Sequence, residues 1–458
     1  MSAMGGLTTG NHNTAIGNEA LNAASNTASN NVAVGASALF ANTTGGVNTA
    51  VGKDALASNT TASANTACGK SALQLNTTGQ YNTAVGKDAL YANITGTSNT
   101  AVGFSALAAN TAGDNTAVGY NAMTANTSGN ANAAFGNAAL DANTTGTANV
   151  AFGSAALSQN TTASSNTAVG KSALYANTTG SNNTAVGKDA LTANTTGQYN
   201  AAVGKGSLAD NTTANGATAV GFDALRSNTT GGSNTSVGAY SLDACTTGQW
   251  NTAVGYDALT RNTTGEKSTA VGYQALDQCT TGNNNTALGR QALNNVTTGE
   301  TNVGISSAGM GITTGDNNIC IGYNAGSSAS PFEVTTESDR IVLGDNGIGN
   351  AYIKVAWTVT SDKRDKVDFG TIPHGLDFVN QLKPTSFWFR KNRDTDEKHG
   401  EQRYGFLAQD ILALEGDNPV IIDTEQEEHL KYKGEHLIPV LVNAIKELSA
   451  KVKALEAG

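Results

Sequence analysis

The sequence is short of charge, proline and cysteine: only 14% of its 458 residues are charged, and it has 5 prolines and 4 cysteines. The cysteines show no paired spacing, which excludes a disulfide-stabilised secreted scaffold and suits a reducing compartment. No apolar run reaches the ~18 residues of a membrane-spanning helix, and the first residues lack the charged and apolar segments of a secretion signal. We therefore expect no membrane span.

Basic clusters and metal-ligand spacings are also missing. The net charge is −10 and is thinly spread, so nucleic acid is not an expected partner. The histidines of the C-terminal part do not show the short, regular spacings of metal ligands. We expect neither a metal site nor a cofactor. The histidines concerned are His374, His399, His429 and His436.

The few charges of the chain are unevenly distributed. Residues 1–330 contain 14 acidic and 10 basic side chains, whereas the much shorter segment 331–458 contains 22 and 16. The composition thus predicts two structurally different regions that join near residue 330. We assign residues 1–330 to a shaft, 331–360 to a β junction with two short strands, and 361–458 to a separate domain.

One short unit repeats through the first 290 residues. It reads Asn-Thr-Ala-Val-Gly-x-x-Ala-Leu-x-x-Asn-Thr-Thr-Gly. The glycine after valine recurs from Gly17 to Gly289 with a mean spacing of 17 residues. Two degenerate copies of the repeat follow at Gly304 and Gly322. A fixed short period is typical of stacked units that cannot bury their apolar faces alone. Seventeen residues suit one coil of a β-solenoid with two short strands and two turns, in which coils stack at ~4.8 Å.

Stacking would align equivalent residues of successive coils in columns. We expect a core made of the leucine column of Leu56 and the valine column of Val51, in which Cys68 replaces an aliphatic residue. The asparagine seven places after each glycine, such as Asn59, is expected to form an amide ladder along the axis. The two cysteines that replace it lie two coils apart, too far for a disulfide. The replacements in this column are Cys245, Cys279 and Val296.

A column built of alanine and valine buries little apolar area per residue. Three parallel chains along a common axis would bury more, and the small alanines two places before each glycine, such as Ala50, Ala84 and Ala101, would allow close approach. The Asn-Thr-Ala-Val-Gly units resemble the head repeats of trimeric bacterial adhesins, which form left-handed parallel β-rolls. We therefore expect a parallel homotrimer.

The position directly after each glycine alternates between blocks of lysine and blocks of aromatic residues. Like charges one coil apart must face water, so this column is expected to be exposed. Its aromatic members could stack on the sugar rings of a host cell-surface glycan, or the column could be a plain solvated ridge, because single exposed aromatic residues need no explanation. The aromatic members are Phe104, Tyr120, Phe222, Tyr256 and Tyr273, and the lysines include Lys53, Lys70, Lys87, Lys171, Lys188 and Lys205.

The C-terminal segment contains four ordered blocks: SDKRDK at 361–366, then LDFVNQLKPTSFWF, YGFLAQDI and LIPVLVNAIKELSAKVKALE. In this order they resemble the intramolecular chaperone domain at the C-terminus of phage endosialidases and long tail fibres. The resemblance implies a small α+β domain that directs folding and trimerisation. The last block also has a heptad pattern, which predicts a coiled-coil helix. Its trimer seam would be Leu441, Ile445, Leu448, Val452 and Leu455.

The resemblance further implies single-turnover self-cleavage of the Thr360–Ser361 bond, with Ser361 as nucleophile and Lys366 as base. A serine hydroxyl needs a base to accept its proton, and a lysine serves only where lost hydration or a nearby cation, such as Arg364, destabilises its charge. Arg364 could also stabilise the oxyanion. The family usually has leucine where Asp365 stands, and a carboxylate there opposes loss of the ammonium proton. Whether the domain cleaves itself, or only folds beside a solvated charged turn, stays open.

Together these patterns indicate a bacteriophage tail fibre, made in the bacterial cytoplasm and assembled into the virion, with other tail or baseplate proteins at its N-terminus. Two alternatives stay open. A trimeric bacterial adhesin would need a secretion signal and a membrane barrel, and a polysaccharide-degrading tailspike would need a pair of placed carboxylates. The acidic residues of the shaft, such as Asp54, Asp88, Asp189 and Asp257, show no repeated pair.

Overall fold

The computed structural model describes residues 3–349, 351, 352, 354, 361–390, 395–426 and 429–458. These residues form two compact units. The first comprises Met1–Ile321 with Val334–Ile341, and the second comprises Gly322–Glu333 with Val342–Gly458.

The first unit is a parallel β-solenoid, in which each coil adds one three-residue strand to a single sheet; of the 20 strands of this sheet, the last begins at Ile341, where the unit ends. Neighbouring strands pair in register, so that Val51, for example, lies opposite Cys68. The mainly β solenoid fold that the period predicts is therefore confirmed. The strands are β1 (Thr14–Ile16), β2 (Val32–Val34), β3 (Thr49–Val51), β4 (Thr66–Cys68), β5 (Thr83–Val85), β6 (Thr100–Val102), β7 (Thr116–Val118), β8 (Ala133–Phe135), β9 (Val150–Phe152), β10 (Thr167–Val169), β11 (Thr184–Val186), β12 (Ala201–Val203), β13 (Thr218–Val220), β14 (Thr235–Val237), β15 (Thr252–Val254), β16 (Thr269–Val271), β17 (Thr286–Leu288), β18 (Val303–Ile305), β19 (Ile319–Ile321) and β20 (Ile341–Leu343).

The interior of the solenoid is lined by the middle residue of each strand and by the leucine of the following turn. Ala50 and Leu56 are fully buried, and so are their equivalents in nearly every coil. Alanine suits the strand position because a coil of this length encloses a narrow interior, and leucine fills the space that remains. The predicted leucine column is confirmed.

The valine column, in contrast, lies outside. Successive side chains of a strand point to opposite faces. Because Ala50 points inward, its two neighbours point outward, and Val51 is 36% exposed. Cys68 is exposed in the same column. The predictions that Val51 and Cys68 belong to the core are therefore wrong. Ala50, Ala84 and Ala101 fill the interior of their own coils, so the prediction that they let chains approach is wrong too.

Each described coil has one strand rather than the two expected. The rest of the coil is a series of turns in which non-glycine residues with positive φ recur, such as Asp54 (φ 58°), Leu56 (φ 52°) and Ala64 (φ 58°). These left-handed residues bend the chain sharply enough to close the short coil, which leaves no room for a second extended segment. Corner glycines such as Gly52 adopt φ 137°, a conformation that residues with side chains rarely take.

The last coils depart from the regular period. Gly304 is the middle residue of β18 and lies opposite Ala287 and Cys320, so it fills an alanine position rather than the corner position expected of a degenerate copy. Gly322 does occupy a corner, with φ 105°. The first predicted junction strand is β20, which joins the same sheet beside β19. Most of the second junction strand expected after it falls outside the described residues.

The asparagine ladder is present as predicted. The Nδ2 amide of Asn143 donates to Oδ1 of Asn126 at 2.7 Å and to the carbonyl oxygen of Gly146 at 3.0 Å. This pair of bonds recurs along the column, so each side chain holds its own turn closed and joins it to the preceding coil. Fully bonded buried amides make an interior rigid, whereas unbonded ones cost free energy.

The ladder is interrupted where cysteine replaces asparagine. Cys245, Cys279 and Val296 are fully buried, and both cysteines are free thiols. The Oδ1 atoms of Asn228 and Asn262, each one coil before a cysteine, are buried without a hydrogen-bond partner in the described structure. Burial raises the pKa of the Cys245 thiol to about 12 and that of Cys279 to about 11, so both thiols stay protonated at neutral pH.

Restoring the ladder is expected to stabilise the shaft. In Cys245→Asn the new amide would donate to Asn228 and accept from Asn262, so the free energy of unfolding should rise by roughly 1–3 kcal/mol. Asn143→Ala, which opens an intact part of the same column, should lower it by a similar amount. Thermal unfolding followed by circular dichroism measures both changes. A Cys245→Asn protein that melts below wild type would contradict the stabilising role of the ladder.

The second unit combines short helices with two small antiparallel sheets, β21 with β22 and β23 with β24. Its core is formed by Phe378, Ile411 and Leu437, one from each α-helix, together with residues around β23. The α+β character expected of this domain is confirmed. Its elements are a 3-10 turn (Lys363–Asp365), α1 (Leu376–Gln381), β21 (Thr385–Arg390), β22 (Lys398–Gly405), α2 (Ala408–Glu415), β23 (Ile422–Asp423), β24 (Lys431–Tyr432) and α3 (Gly434–Ala457).

Two kinds of feature are absent from the described residues. None of the helices described is both long and apolar enough to cross a membrane. In the same residues, no group of three or more His, Cys, Asp and Glu side chains is placed to hold a metal ion.

Candidate functional site

Ser361 and Lys366 lie on either side of the 3-10 turn at Lys363–Asp365. Asp362 begins this turn as its N-cap residue, because its carboxylate accepts a hydrogen bond from the backbone N–H of Arg364 at 2.8 Å. The backbone N–H of Lys366 then closes the turn. One tight turn thereby brings together two side chains that are five residues apart.

The Nζ amine of Lys366 donates a hydrogen bond to Oγ of Ser361 at 2.6 Å. This distance lets a base take the proton of a nucleophilic hydroxyl, once the amine itself is neutral. Both side chains, and Asp365 beside them, are exposed in the single chain. The two residues of the predicted dyad are thus in contact, in a setting where water still surrounds the amine.

Arg364 forms an ion pair with the residue that caps the turn. Its Nε atom lies 3.1 Å from both carboxylate oxygens of Asp362. The Asp362 carboxylate raises the pKa of Arg364, and the guanidinium and then the backbone N–H of Arg364 lower the pKa of Asp362. A paired guanidinium contributes less positive potential to its surroundings than a free one. Thr360, on the other side of the predicted scissile bond, lies outside the described residues.

The helix α3 has one buried and one exposed apolar face. Leu437, Val440 and Ala444 are buried within the second unit. The residues of the predicted seam are exposed instead, with Ile445 65% and Leu455 82% accessible. An apolar face of this length is typical of an interaction surface. The exposed seam consists of Leu441, Ile445, Leu448, Val452 and Leu455.

The predicted aromatic column forms two ladders on the surface of the shaft. In the first, the rings of Phe104 and Tyr120 stack at a centroid distance of 5.3 Å. All five aromatic residues predicted for the column are exposed, as expected of it. The second ladder runs through Phe222, Tyr240, Tyr256 and Tyr273, with successive centroid distances of 5.3, 5.9 and 5.9 Å.

Tyr240 is the ladder member that the sequence pattern did not reveal. It stands two places after its corner glycine, whereas the other members stand directly after theirs, and Ala239 occupies the expected position. The ring of Tyr240 meets Phe222 and Tyr256 edge-on and so bridges the coil that lacks an aromatic residue in the column. A pattern that allowed an offset of one residue would have included it.

Comparison with known proteins bears on the C-terminal part of the chain. Residues 361–418 match the family model of the chaperone of endosialidase. No curated protein and no solved structure matches the chain. The matched region begins at Ser361 and includes the Ser361–Lys366 contact, α1 and α2. The chain thus consists of a β-solenoid shaft followed by a region similar to the chaperone of endosialidase.

Proposed function

We propose that the chain is a bacteriophage tail-fibre or tailspike-like protein, whose shaft is structural and receptor-binding and whose C-terminal domain directs folding and trimerisation. The observation that carries the proposal is the order of the two parts, a long repetitive shaft followed by a chaperone-like region. Repetitive strands can pair in wrong registers, and non-local parallel sheets fold slowly, so a folding aid is useful to such a shaft. The protein would be made in the bacterial cytoplasm and join other tail or baseplate proteins of the virion through its N-terminal end.

The shaft offers an apolar surface to further copies of the chain. The residue before each corner glycine points outward, and it is Val, Ile, Leu or Phe in nearly every coil. With 20 strands, this stripe is roughly 90 Å long and about 10 Å wide, an area comparable with the ~800 Å² per partner of a stable interface. We infer a parallel homotrimer whose three sheets face a common axis. The stripe includes Val51, Val85, Val102, Phe152, Val203, Val220 and Leu288.

Charge on this stripe is expected to dissociate the trimer. In a Val203→Lys, Val220→Lys double variant, unpaired ammonium groups would be buried between chains, at a cost of several kcal/mol each. Both positions are exposed in the single chain, so the coil itself should tolerate lysine. Light scattering should give the mass of three chains for wild type and of one chain for the double variant. Gln198→Lys, an exposed position outside the stripe, is the control and should stay trimeric.

The same measurement tests the role of the C-terminal helix. Ile445→Asp places a carboxylate on the exposed seam of α3 without altering the shaft, and we expect aggregated or single chains instead of trimers. Normal trimers from Ile445→Asp would remove α3 from the assembly step. A wild-type mass near one chain would overturn the trimer altogether.

We also propose that the aromatic ladders contact a glycan on the host cell surface. Aromatic rings offer flat apolar faces on which the C–H faces of sugar rings can stack, and a ladder on a straight shaft presents several such faces in line. The exposure and mutual stacking of the rings support this proposal. The residues concerned are Phe104, Tyr120, Phe222, Tyr256 and Tyr273, with Tyr240 added by the structure.

Self-cleavage is the remaining part of the proposal. Oγ of Ser361 attacks the carbonyl carbon of Thr360 while Lys366 accepts the hydroxyl proton and passes it to the leaving amide nitrogen. An ester forms between the two residues, and the amine of Ser361 is released. Water then hydrolyses the ester to a Thr360 carboxylate and a free Ser361 hydroxyl. The hydrogen bond between Lys366 and Ser361 supports this assignment.

A further inference from the structure

The column after the corner glycine contains the same pattern twice. Three lysines on consecutive coils are followed by phenylalanine on the next coil. Tyrosine comes next in the first copy, whereas in the second copy Ala239 takes that place and the neighbouring Tyr240 supplies the ring. The two copies begin seven coils apart, which corresponds to roughly 34 Å along the axis. The first cassette is Lys53, Lys70, Lys87, Phe104 and Tyr120; the second is Lys171, Lys188, Lys205, Phe222, Tyr240, Tyr256 and Tyr273.

The two cassettes share a local geometry as well as a sequence pattern. The Nζ atom of Lys87 lies 4.9 Å from the centroid of the Phe104 ring, and Nζ of Lys205 lies 5.0 Å from that of Phe222. In both places the last lysine thus covers the first ring, and the next ring stands 5.3 Å further on. Between the cassettes the same column holds small polar residues, among them Asn137. The lysine-to-aromatic step is therefore a repeated arrangement and not a general property of the column.

The lysine ends of the cassettes keep an excess of positive charge. Lys53, Lys87 and Lys188 each form an exposed ion pair with the aspartate that follows them. The other lysines are followed by serine or glycine, which cannot neutralise them. Lysine backbones on neighbouring coils stand about 4.8 Å apart and their ammonium groups repel one another, so an anionic ligand would relieve this repulsion. The lysines without an acidic neighbour in sequence are Lys70, Lys171 and Lys205.

The aromatic ends differ from the lysine ends in charge. Ser105 and Asn121 follow the rings of the first cassette, and Asp223 and Asp257 follow two rings of the second. Burial and then Asp223 raise the pKa of nearby Asp243, as expected where carboxylates crowd. The rings therefore suit uncharged sugar faces, whereas the lysines suit acidic groups.

We propose that each cassette binds a linear acidic polysaccharide that runs along the shaft, with its acidic sugars over the lysines and its uncharged ring faces on the aromatic ladder. This inference rests on the proposed role of the shaft in glycan binding and adds the class of ligand, its direction and the number of sites. The cassettes are one side chain wide and straight over several coils, so they fit an extended polymer better than a branched or compact sugar. One polymer can span both cassettes, which multiplies its affinity.

The ligand class is tested with the full-length protein on an array of purified bacterial polysaccharides of known repeat unit, both acidic and neutral. We expect binding to acidic members and loss of that binding in about 1 M salt, where charges are screened within ~3 Å. Inorganic polyphosphate is included as a polyanion without rings that could stack on the aromatic side chains, and it should not displace a bound polysaccharide.

The sites are tested with matched variants. Lys70→Ala with Lys87→Ala removes the positive end of the first cassette, and Lys171→Ala with Lys205→Ala that of the second. Either double variant should weaken binding by on the order of 10²-fold, because the polymer is then held by only one cassette. The variant with all four substitutions should not bind. Controls are Lys267→Ala, which lies over Trp250 in another column, and Tyr81→Ala, an exposed ring outside both ladders; both should bind as wild type.

Each other outcome overturns the inference. Binding to neutral polysaccharides alone, unchanged binding by the four-lysine variant, displacement by polyphosphate, or no binding to any acidic member would reject a linear acidic ligand. The proposed function has separate tests. A mass near one chain, or no adsorption of the protein to bacterial cells, would count against the proposed function and not against the ligand class alone. A trimer that binds neutral sugars through Phe104 and Tyr120 would keep the glycan-binding role and lose only the acidic class.

Discussion

Gly153→Ala should unfold the shaft locally and lower its stability strongly. Gly153 has φ 142°, where a Cβ atom is strained at a cost of about 1–3 kcal/mol. A Cβ built there would also lie 2.5 Å from the carbonyl oxygen and 2.6 Å from the carbonyl carbon of Gly170 in the next coil. These are backbone atoms of a coil packed on both sides, so neither can move away. We expect a loss of roughly 3 kcal/mol or more.

The matched control is Gly232→Ala. Gly232 has no positive φ, and the nearest atom to its added Cβ is the carbonyl oxygen of Asn215 at 3.3 Å. Thermal unfolding followed by circular dichroism should show a large decrease for Gly153→Ala and little change for Gly232→Ala. Each coil contacts only its neighbours, so hydrogen exchange should increase most around β9 and β10. Equal melting of the two variants would mean that the corner conformation is not what forces glycine.

Ser361→Ala should abolish release of the C-terminal domain. Wild type is expected to give two fragments on a denaturing gel, residues 1–360 and 361–458, and the variant only the full-length chain, because no other hydroxyl is hydrogen-bonded to Lys366 in the described residues. Lys366→Met keeps the nucleophile and removes the base, so cleavage should slow by about 10²–10⁴-fold. Asp365→Leu removes a carboxylate from the same turn and should accelerate release.

Lys363→Ala is the control for loss of a positive charge. Lys363 belongs to the same turn, but its Nζ lies over the ring of Phe369 at 5.7 Å, and it is Lys366 that contacts Ser361. Cleavage should proceed at the wild-type rate in this variant. Mass spectrometry of the smaller fragment should begin at Ser361. Full-length chains alone in wild type would reject self-cleavage while leaving the chaperone role untouched.

Periodicity alone predicted much of the shaft but not which way its strands face. The leucine column and the asparagine ladder follow from one residue of distinct character per coil, as at Leu56 and Asn59. The strand is different, because Ala50 and Val51 are both apolar and an alternating pattern cannot tell which of them points inward. The narrow coil decides in favour of alanine. The position of Gly304 was predicted wrongly for a related reason. In a degenerate repeat, the alignment of the glycine with the corner position can be shifted by two residues.

The candidate site was predicted from the order of the four sequence blocks that resemble the chaperone family. The structure adds side-chain contacts that cannot be derived from the spacing of residues in the sequence. The blocks paired Ser361 with Lys366, and the 3-10 turn places the two side chains in contact. The ion pair of Arg364 with Asp362 could not be read from the sequence, because Asp365 is a carboxylate still closer to Arg364 along the chain. Side-chain pairing within a charged segment depends on turn geometry, and that is fixed here by the capping role of Asp362.

The interrupted amide ladder has a consequence for how the shaft carries load. A stack of coils pulled along its axis transmits force in series, so it yields at the joint with the fewest bonds across it. The Oδ1 atoms of Asn228 and Asn262 receive no hydrogen bond from Cys245 and Cys279 on the next coil, so these joints hold by backbone bonds and packing. The two cysteines therefore mark mechanically weak joints. A tethered fibre under tension would open there before it opens where the asparagine ladder is continuous.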